Sequence, residues 1–351
     1  MNSRITANPA RGIPVANADL VKTPRFKDSR LWSWARQTGL GELVREAKSC
    51  RREFWAWARC KPISGPNVIQ LDQSLAALDA LARQPFDVRR DAESPIFLLS
   101  TGWRAGSTLL QRILITDPHL LLWGEPLGEM VFLSRLSNML SDSLSQRNWE
   151  LWQSQADVST RPLSSSWIAN LYPPAEDFRS ALRGLFDRWL GEPARRGGFT
   201  RWGFKEVRFG ATEASLLHWL YPWALFVVVS RHPFDSYRSL ADSKWDQVYY
   251  SHPELLIDSV AKFARSWNRL ALSWSELPTD FPLYHIKYED LVRGDVNFRK
   301  LEAWLGLEIK ENVALSVSVG RTSVRHRLNW HERFIIAHEA AAGMQALGYQ
   351  K

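Results

Sequence analysis

Between residues 100 and 108 the chain reads Ser-Thr-Gly-Trp-Arg-Ala-Gly-Ser-Thr. The apolar run Ile96-Phe97-Leu98-Leu99 precedes it, and Leu109, Leu110, Ile113 and Leu114 follow at helical spacing. A buried strand, a turn with two glycines and a helix start make a cradle for an anion. The glycines let backbone N–H groups face inward, and the helix N-terminus with the Ser107 and Thr108 hydroxyls completes the donor set. Arg104 adds a planar fork of donors suited to phosphate. An ordinary glycine-rich strand–helix turn is the competing reading. A Walker A loop has four residues between its glycines, followed by Lys and Ser/Thr. Here three residues separate Gly102 from Gly106, and Ser107 comes next. Magnesium-dependent nucleotide hydrolysis loses ground.

A second cluster follows the β-branched run Leu225-Phe226-Val227-Val228-Val229. Arg231 stands at the carboxyl end of that expected strand, where open α/β sheets hold ligands. Pro233 can start the next helix, and Ser239 falls about two helical turns beyond Arg231. One guanidinium and one hydroxyl can then meet on a phosphate from two sides. Alone, a capped helix with a surface arginine reads the same way.

In this order the two clusters resemble the sulfotransferase family that uses 3′-phosphoadenosine 5′-phosphosulfate (PAPS). Residues 102–108 look like its 5′-phosphosulfate loop, and Arg231 followed eight residues later by Ser239 looks like its 3′-phosphate motif. Tyr288-Glu289-Asp290-Leu291 is similar to the segment after its last core strand, so the resemblance spans about residues 95–349. It implies an α/β, P-loop-like fold with a central parallel sheet flanked by helices. It also implies that Arg104, Gly106, Ser107 and Thr108 hold the 5′-phosphosulfate, Arg231 and Ser239 the 3′-phosphate, and that Tyr288 neighbours the adenine. Arg325 lies where the family carries a basic residue that closes over the nucleotide. In motif style the chain is closer to bacterial, carbohydrate and tyrosylprotein sulfotransferases than to cytosolic phenol sulfotransferases. The latter carry Lys-x-His on the middle strand, where this chain has Lys205-Glu206-Val207, and Trp where it has Leu109. The missing base has a candidate in Glu125, which follows the second expected strand, where relatives place a catalytic Glu. A carboxylate there can take a hydroxyl proton, while Lys205 neutralises charge on the sulfonyl and leaving oxygens. Glu206 and Asp235 are weaker candidates.

These residues need a scaffold that brings strand ends together. Short apolar runs at residues 96–99, 120–122, 202–207, 225–229 and 283–288, separated by helical patterns, predict a parallel sheet with crossover helices. Residues 1–92 read as a helical, basic, Trp-bearing extension and residues 93–351 as the sulfotransferase domain. An irregular acceptor-side insert is expected over about residues 134–198. Its Trp149, Trp152, Trp167, Tyr172 and Trp189 suit a sugar or glycan, with hydrophobic packing as the plain explanation.

The 351 residues carry a net charge of +8, and residues 25–61 hold ten Lys/Arg against four Asp/Glu. The rest is nearly balanced, which favours a phosphorylated small ligand over nucleic acid. Residues 29–60 are expected to pack on the catalytic domain, with Leu40, Leu43, Val44, Ala47, Phe54 and Ala58 near one face. Peripheral contact with an anionic membrane is the alternative. Two cysteines and eight unclustered histidines give neither a disulfide framework nor a metal site. The polar first twenty residues lack a signal-peptide core, and no run reaches a membrane span, so a soluble cytoplasmic protein is expected. The function expected is sulfonate transfer from PAPS to a hydroxyl acceptor, carbohydrate favoured over tyrosyl or phenolic, by in-line displacement with a Glu base. A non-catalytic nucleotide- or nucleic-acid-binding protein and an atypical nucleoside-triphosphate kinase are the alternatives. Oligomeric state leaves no mark on the sequence.

Overall fold

The computed structural model describes residues 40–59, 68–82, 94–126, 131–145, 171–243, 257–310 and 326–350. The chain divides into two units, residues 1–51 and 52–351, and the second contains every described strand.

Strands β1 (Ile96–Ser100), β2 (Leu120–Trp123), β3 (Arg201–Lys205), β4 (Leu225–Ser230) and β5 (Leu283–Lys287) form one parallel sheet in the order β2-β3-β1-β4-β5. Central β1 pairs through Ile96 with Gly203 on one side and Leu225 on the other. Its residues alternate between two cores, as strand geometry requires. Phe97 and Leu99 join Phe204, Phe226 and Val228 on one face, and Ile96 and Leu98 join Val227, Val229 and Ile286 on the other. Burial on both faces is why β1 and β4 read as continuous apolar runs.

Helices α1 (Leu40–Arg59), α2 (Val68–Leu81), α3 (Ser107–Leu114), α4 (Phe132–Ser145), α5 (Ala175–Phe186), α6 (Glu192–Arg196) and α7 (Ala211–Leu220) account for the first part of the chain. Helices α8 (Pro233–Asp242), α9 (Val260–Ser273), α10 (Tyr288–Arg293), α11 (Phe298–Leu305), α12 (Trp330–Glu339) and α13 (Ala341–Ala346) follow. A π turn at Asp187–Gly191 joins α5 to α6. Among the described residues no helix is long and apolar enough to cross a membrane.

Three local expectations need correction. The segment expected to be irregular is largely helical over its described residues, as α4, α5, the π turn and α6, while residues 146–170 of it lie outside them. Serine-rich α4 forms because Leu133, Leu136 and Leu140 bury against Leu71, Leu75 and Leu78 of α2, and tertiary packing overrides weak propensity. Strand β3 ends at Lys205 rather than Val207 because the Glu206 carboxylate accepts the Val207 N–H (2.8 Å) and the Arg208 N–H (3.2 Å). The apolar face expected on α1 also admits a charge: Glu53 is buried and accepts the Val260 N–H at 3.3 Å. Further along α1, Phe54 and Trp57 pack their rings against Phe334 of α12, and the Trp57 Nε1–H donates to Glu339.

Candidate active site

The turn from β1 into α3 is shaped by three left-handed residues at alternate positions, Gly102 (φ 112°), Arg104 (φ 64°) and Gly106 (φ 95°). Such alternation gathers backbone N–H groups into a concavity that accepts anions. The first N–H groups of α3 have no intrahelical carbonyl to donate to, and they add the positive end of the helix. Thr101 Oγ1, in the same turn, is buried without a partner among the described residues. That orphaned hydroxyl and the N–H concavity fit a phosphate or phosphosulfate oxygen. Gly106 has a second constraint, since a Cβ there would come within 2.2 Å of the Tyr288 ring. Gly106→Ala should therefore push Tyr288 and the turn apart. In calorimetry, affinity of the turn for a phosphate-bearing probe should fall at least tenfold while the circular dichroism spectrum stays unchanged, the strain of φ and the clash acting together.

The clusters at β1 and β4 meet. The Arg104 Nε–H donates to Ser239 Oγ at 3.0 Å, and the Arg231 Nη1–H donates to the Arg104 carbonyl at 3.1 Å. The Arg231 guanidinium also lies 4.3 Å from the centre of the Tyr288 ring. Residues 135 positions apart in sequence thus meet on one surface, with Arg104 exposed and Ser107 buried. Thr108, one residue on, is exposed on the first turn of α3.

At the neighbouring strand ends lies a compact ionic cluster. Lys205, at the end of β3, donates to Glu125 Oε1, just past β2. The Arg208 Nη1 reaches Glu125 Oε2 at 2.8 Å and Glu206 Oε1 at 2.7 Å. The Arg208 guanidinium sits over the Trp103 ring, 5.5 Å from its centre, so the anion-binding turn touches this cluster directly. Burial raises the pKa of the fully buried Glu206, with the Arg208 charge and the backbone N–H of Val207 pulling the other way and Glu125 adding to the rise. For Arg208 burial lowers the pKa, but Glu206 and Glu125 together overcome it and leave the guanidinium above its ordinary value. Two carboxylates and two cations balance within this cluster, and Arg104 and Arg231 stand outside it.

Every strand of the sheet therefore contributes to one edge: the anion turn after β1, Glu125 after β2, Lys205 on β3, Arg231 after β4 and Tyr288 after β5. Residues 95–311, well over half the chain, match the model of the Sulfotransferase family. The chain belongs to the sulfotransferase family. No curated protein matches it closely. Solved structures to which this sulfotransferase is similar include the sulfotransferase domain from the curacin biosynthetic pathway. That likeness is 16% identical, covers 73% of this chain and 98% of that chain, and has a TM-score of 0.40. A sulfotransferase from Alicyclobacillus acidocaldarius is also 16% identical, covering 73% and 97%, with a TM-score of 0.38. A mouse sulfotransferase complexed with PAP is 15% identical, covering 78% and 70%, with a TM-score of 0.29.

Of the site residues expected in this sulfotransferase, Arg104, Gly106, Arg231, Ser239 and Tyr288 come together at one place, and Glu125 with Lys205 at the next. Arg325 lies outside the described residues, as do Trp149, Trp152 and Trp167. Asp235 turns to Arg238 at 3.1 Å. Sequence reasoning missed Arg208 and Trp103. Glu206 was weighed only as an alternative base, whereas the structure buries it as the anchor of Arg208. The available signal was the spacing Lys205-Glu206-Val207-Arg208, a second cation just past the strand end.

Proposed function

We propose that this sulfotransferase moves the sulfonyl group of PAPS to a hydroxyl acceptor, with residues 93–351 as the catalytic domain and residues 1–92 as an extension. The observation that carries the reading is the coupling of two anion clamps through Arg104, Ser239 and Arg231. A nucleotide phosphorylated at both the 5′ and 3′ positions presents anions to two such clamps at once. Bound PAPS supplies the sulfonyl group, whose bond to the bridging phosphate oxygen breaks as the acceptor oxygen attacks in line.

The turn from β1 to α3, with Arg104, Ser107 and Thr108, holds the 5′ end, and Arg231 with Ser239 holds the 3′-phosphate. Tyr288 gives the adenine side an aromatic wall, and Arg325 adds a closing charge. Glu125 takes the acceptor's proton. Its two oxygens already receive Lys205 and Arg208, yet a carboxylate has about four acceptor positions, so an acceptor hydroxyl can still bond to it. Lys205 neutralises charge growing on the sulfonyl and bridging oxygens, where a preorganised cation is worth more than in water. A carbohydrate hydroxyl is the favoured acceptor. Tyr172 and the 41% exposed Trp189 lie in the acceptor-side segment, and aromatic faces suit sugar rings.

Labelled PAPS offered with a panel of glycan, phenolic and tyrosyl acceptors tests the reaction, and absence of label transfer to every acceptor class overturns it. Arg231→Ala tests the clamp. Loss of a charge-assisted bond worth about 1.5–3 kcal/mol should weaken adenosine 3′,5′-bisphosphate by roughly 10–100-fold. Adenosine 5′-phosphosulfate, without a 3′-phosphate, should weaken far less, by only what loss of the Arg231 bond to the Arg104 carbonyl takes from the 5′ turn. Equal binding of both nucleotides to variant and parent would place the 3′-phosphate elsewhere.

A further inference from the structure

The last turn of the chain folds back onto the loop that carries Arg231. Helix α13 is seated on α9 at Gly343, where an added Cβ would come within 2.8 Å of Ala271, and the Gly343 N–H donates to Asn268 Oδ1 at 2.7 Å. Gly348 then takes a left-handed conformation (φ 66°) that reverses the chain, and the Tyr349 N–H closes on the Met344 carbonyl at 2.8 Å. This reversal delivers Tyr349 to the carboxyl ends of β4 and β5.

There its hydroxyl joins a directed chain of hydrogen bonds. The Glu289 carboxylate can only accept, so the Tyr349 hydroxyl donates to Glu289 Oε2 at 3.0 Å. The same hydroxyl then accepts from Ser230 Oγ at 2.9 Å, and Ser230 Oγ accepts from His285 Nε2 at 2.8 Å. Glu289 uses its other oxygen, Oε1, to receive the His232 N–H at 2.9 Å. One hydroxyl thus braces the residue before Arg231 directly and the residue after it through Glu289. The remaining contacts reinforce the brace. Trp267 Nε1–H donates to the Arg231 carbonyl at 3.1 Å, and the Gln350 carbonyl lies 3.0 Å from His232 Nε2. Lys287 donates to the Gly348 carbonyl at 3.2 Å and lies over the Tyr349 ring. Burial raises the pKa of Tyr349 above its ordinary value, which keeps the hydroxyl a donor.

We propose that Tyr349 is a positioning residue: the C-terminal turn fixes the backbone around Arg231 so that its guanidinium is preorganised for the 3′-phosphate. The proposal rests on the nucleotide reading above, and it assigns to the end of the chain a part in substrate discrimination. Preorganised groups gain affinity by avoiding an ordering cost on binding, so the brace should act on the phosphate that Arg231 meets and spare the 5′ end.

Tyr349→Phe keeps the ring and its packing and removes the hydroxyl. Calorimetry on parent and variant with adenosine 3′,5′-bisphosphate and with ADP, which has no 3′-phosphate, reads the difference. The bisphosphate should weaken about fivefold, the order of one net hydrogen bond, while ADP stays within twofold. In turnover assays KM for PAPS should rise by the same factor with kcat unchanged. Removal of residues 349–351 should enlarge the same selective loss. A variant that weakens both nucleotides equally shows only general loosening, and one that weakens neither shows no brace; each overturns the proposal. A parent that gives the bisphosphate no advantage over ADP would instead overturn the nucleotide reading, and the brace with it.

Discussion

Glu125→Gln should lower kcat by about 10²–10⁴, the usual weight of a positioned general base, and leave affinity for adenosine 3′,5′-bisphosphate within a few fold of the parent. The reason is in the division of the site. In the proposed site the nucleotide lies against the β1–α3 turn, Arg231 and Ser239, whereas Glu125 meets Lys205 and Arg208. An amide cannot take a proton from a hydroxyl at the pH of catalysis. It also offers one accepting oxygen where the carboxylate offers two, so one of the two cations loses a partner. Thermal unfolding measured beside turnover separates the two effects. A folded variant with normal nucleotide binding and lost turnover marks a base, and normal turnover would remove Glu125 from that role.

How much of this was readable from the residues follows from the range of the forces involved. Strands β1 and β4 were visible because a parallel strand covered on both faces must be apolar throughout, as in Phe226-Val227-Val228-Val229. The anion turn was visible because its left-handed positions need glycine twice within five residues, at Gly102 and Gly106. Arg104 itself adopts the third left-handed conformation without a glycine to announce it. Helix α4 was hidden because its serines obscure the period and its stability comes from α2, some sixty residues earlier. Arg208 was hidden for a related reason. Its role depends on Trp103 and Glu125 arriving from two other strand ends, and the local spacing Glu206-Val207-Arg208 carries only part of that meeting. Tyr349 belongs to the same class, a polar residue at the end of the chain whose partners Ser230 and Glu289 lie 119 and 60 positions away.

Arg208→Met should destabilise the fold by about 3–5 kcal/mol, the range for removing one member of a buried ion pair. Methionine keeps an unbranched apolar stem against Trp103, so packing changes little and the charge is what is lost. Glu206, fully buried, would retain the Val207 and Arg208 backbone N–H groups, and its Oε2 already lacks a partner among the described residues. An uncompensated carboxylate in that position relieves its burial by taking up a proton. Because burial already raises the Glu206 pKa, loss of Arg208 should raise it further. A folded state that holds a proton more tightly than the unfolded chain gains stability as pH falls. The deficit should therefore be largest at neutral pH and above, and should shrink as pH descends toward the ordinary carboxylate range. Denaturant midpoints at an unchanged slope, measured across pH for parent and variant, read this directly. The double variant Glu206→Gln with Arg208→Met removes the buried charge and should recover most of the lost stability at neutral pH. If the deficit is the same at every pH, or persists in the double variant, the loss comes from packing around Trp103 and not from the buried carboxylate.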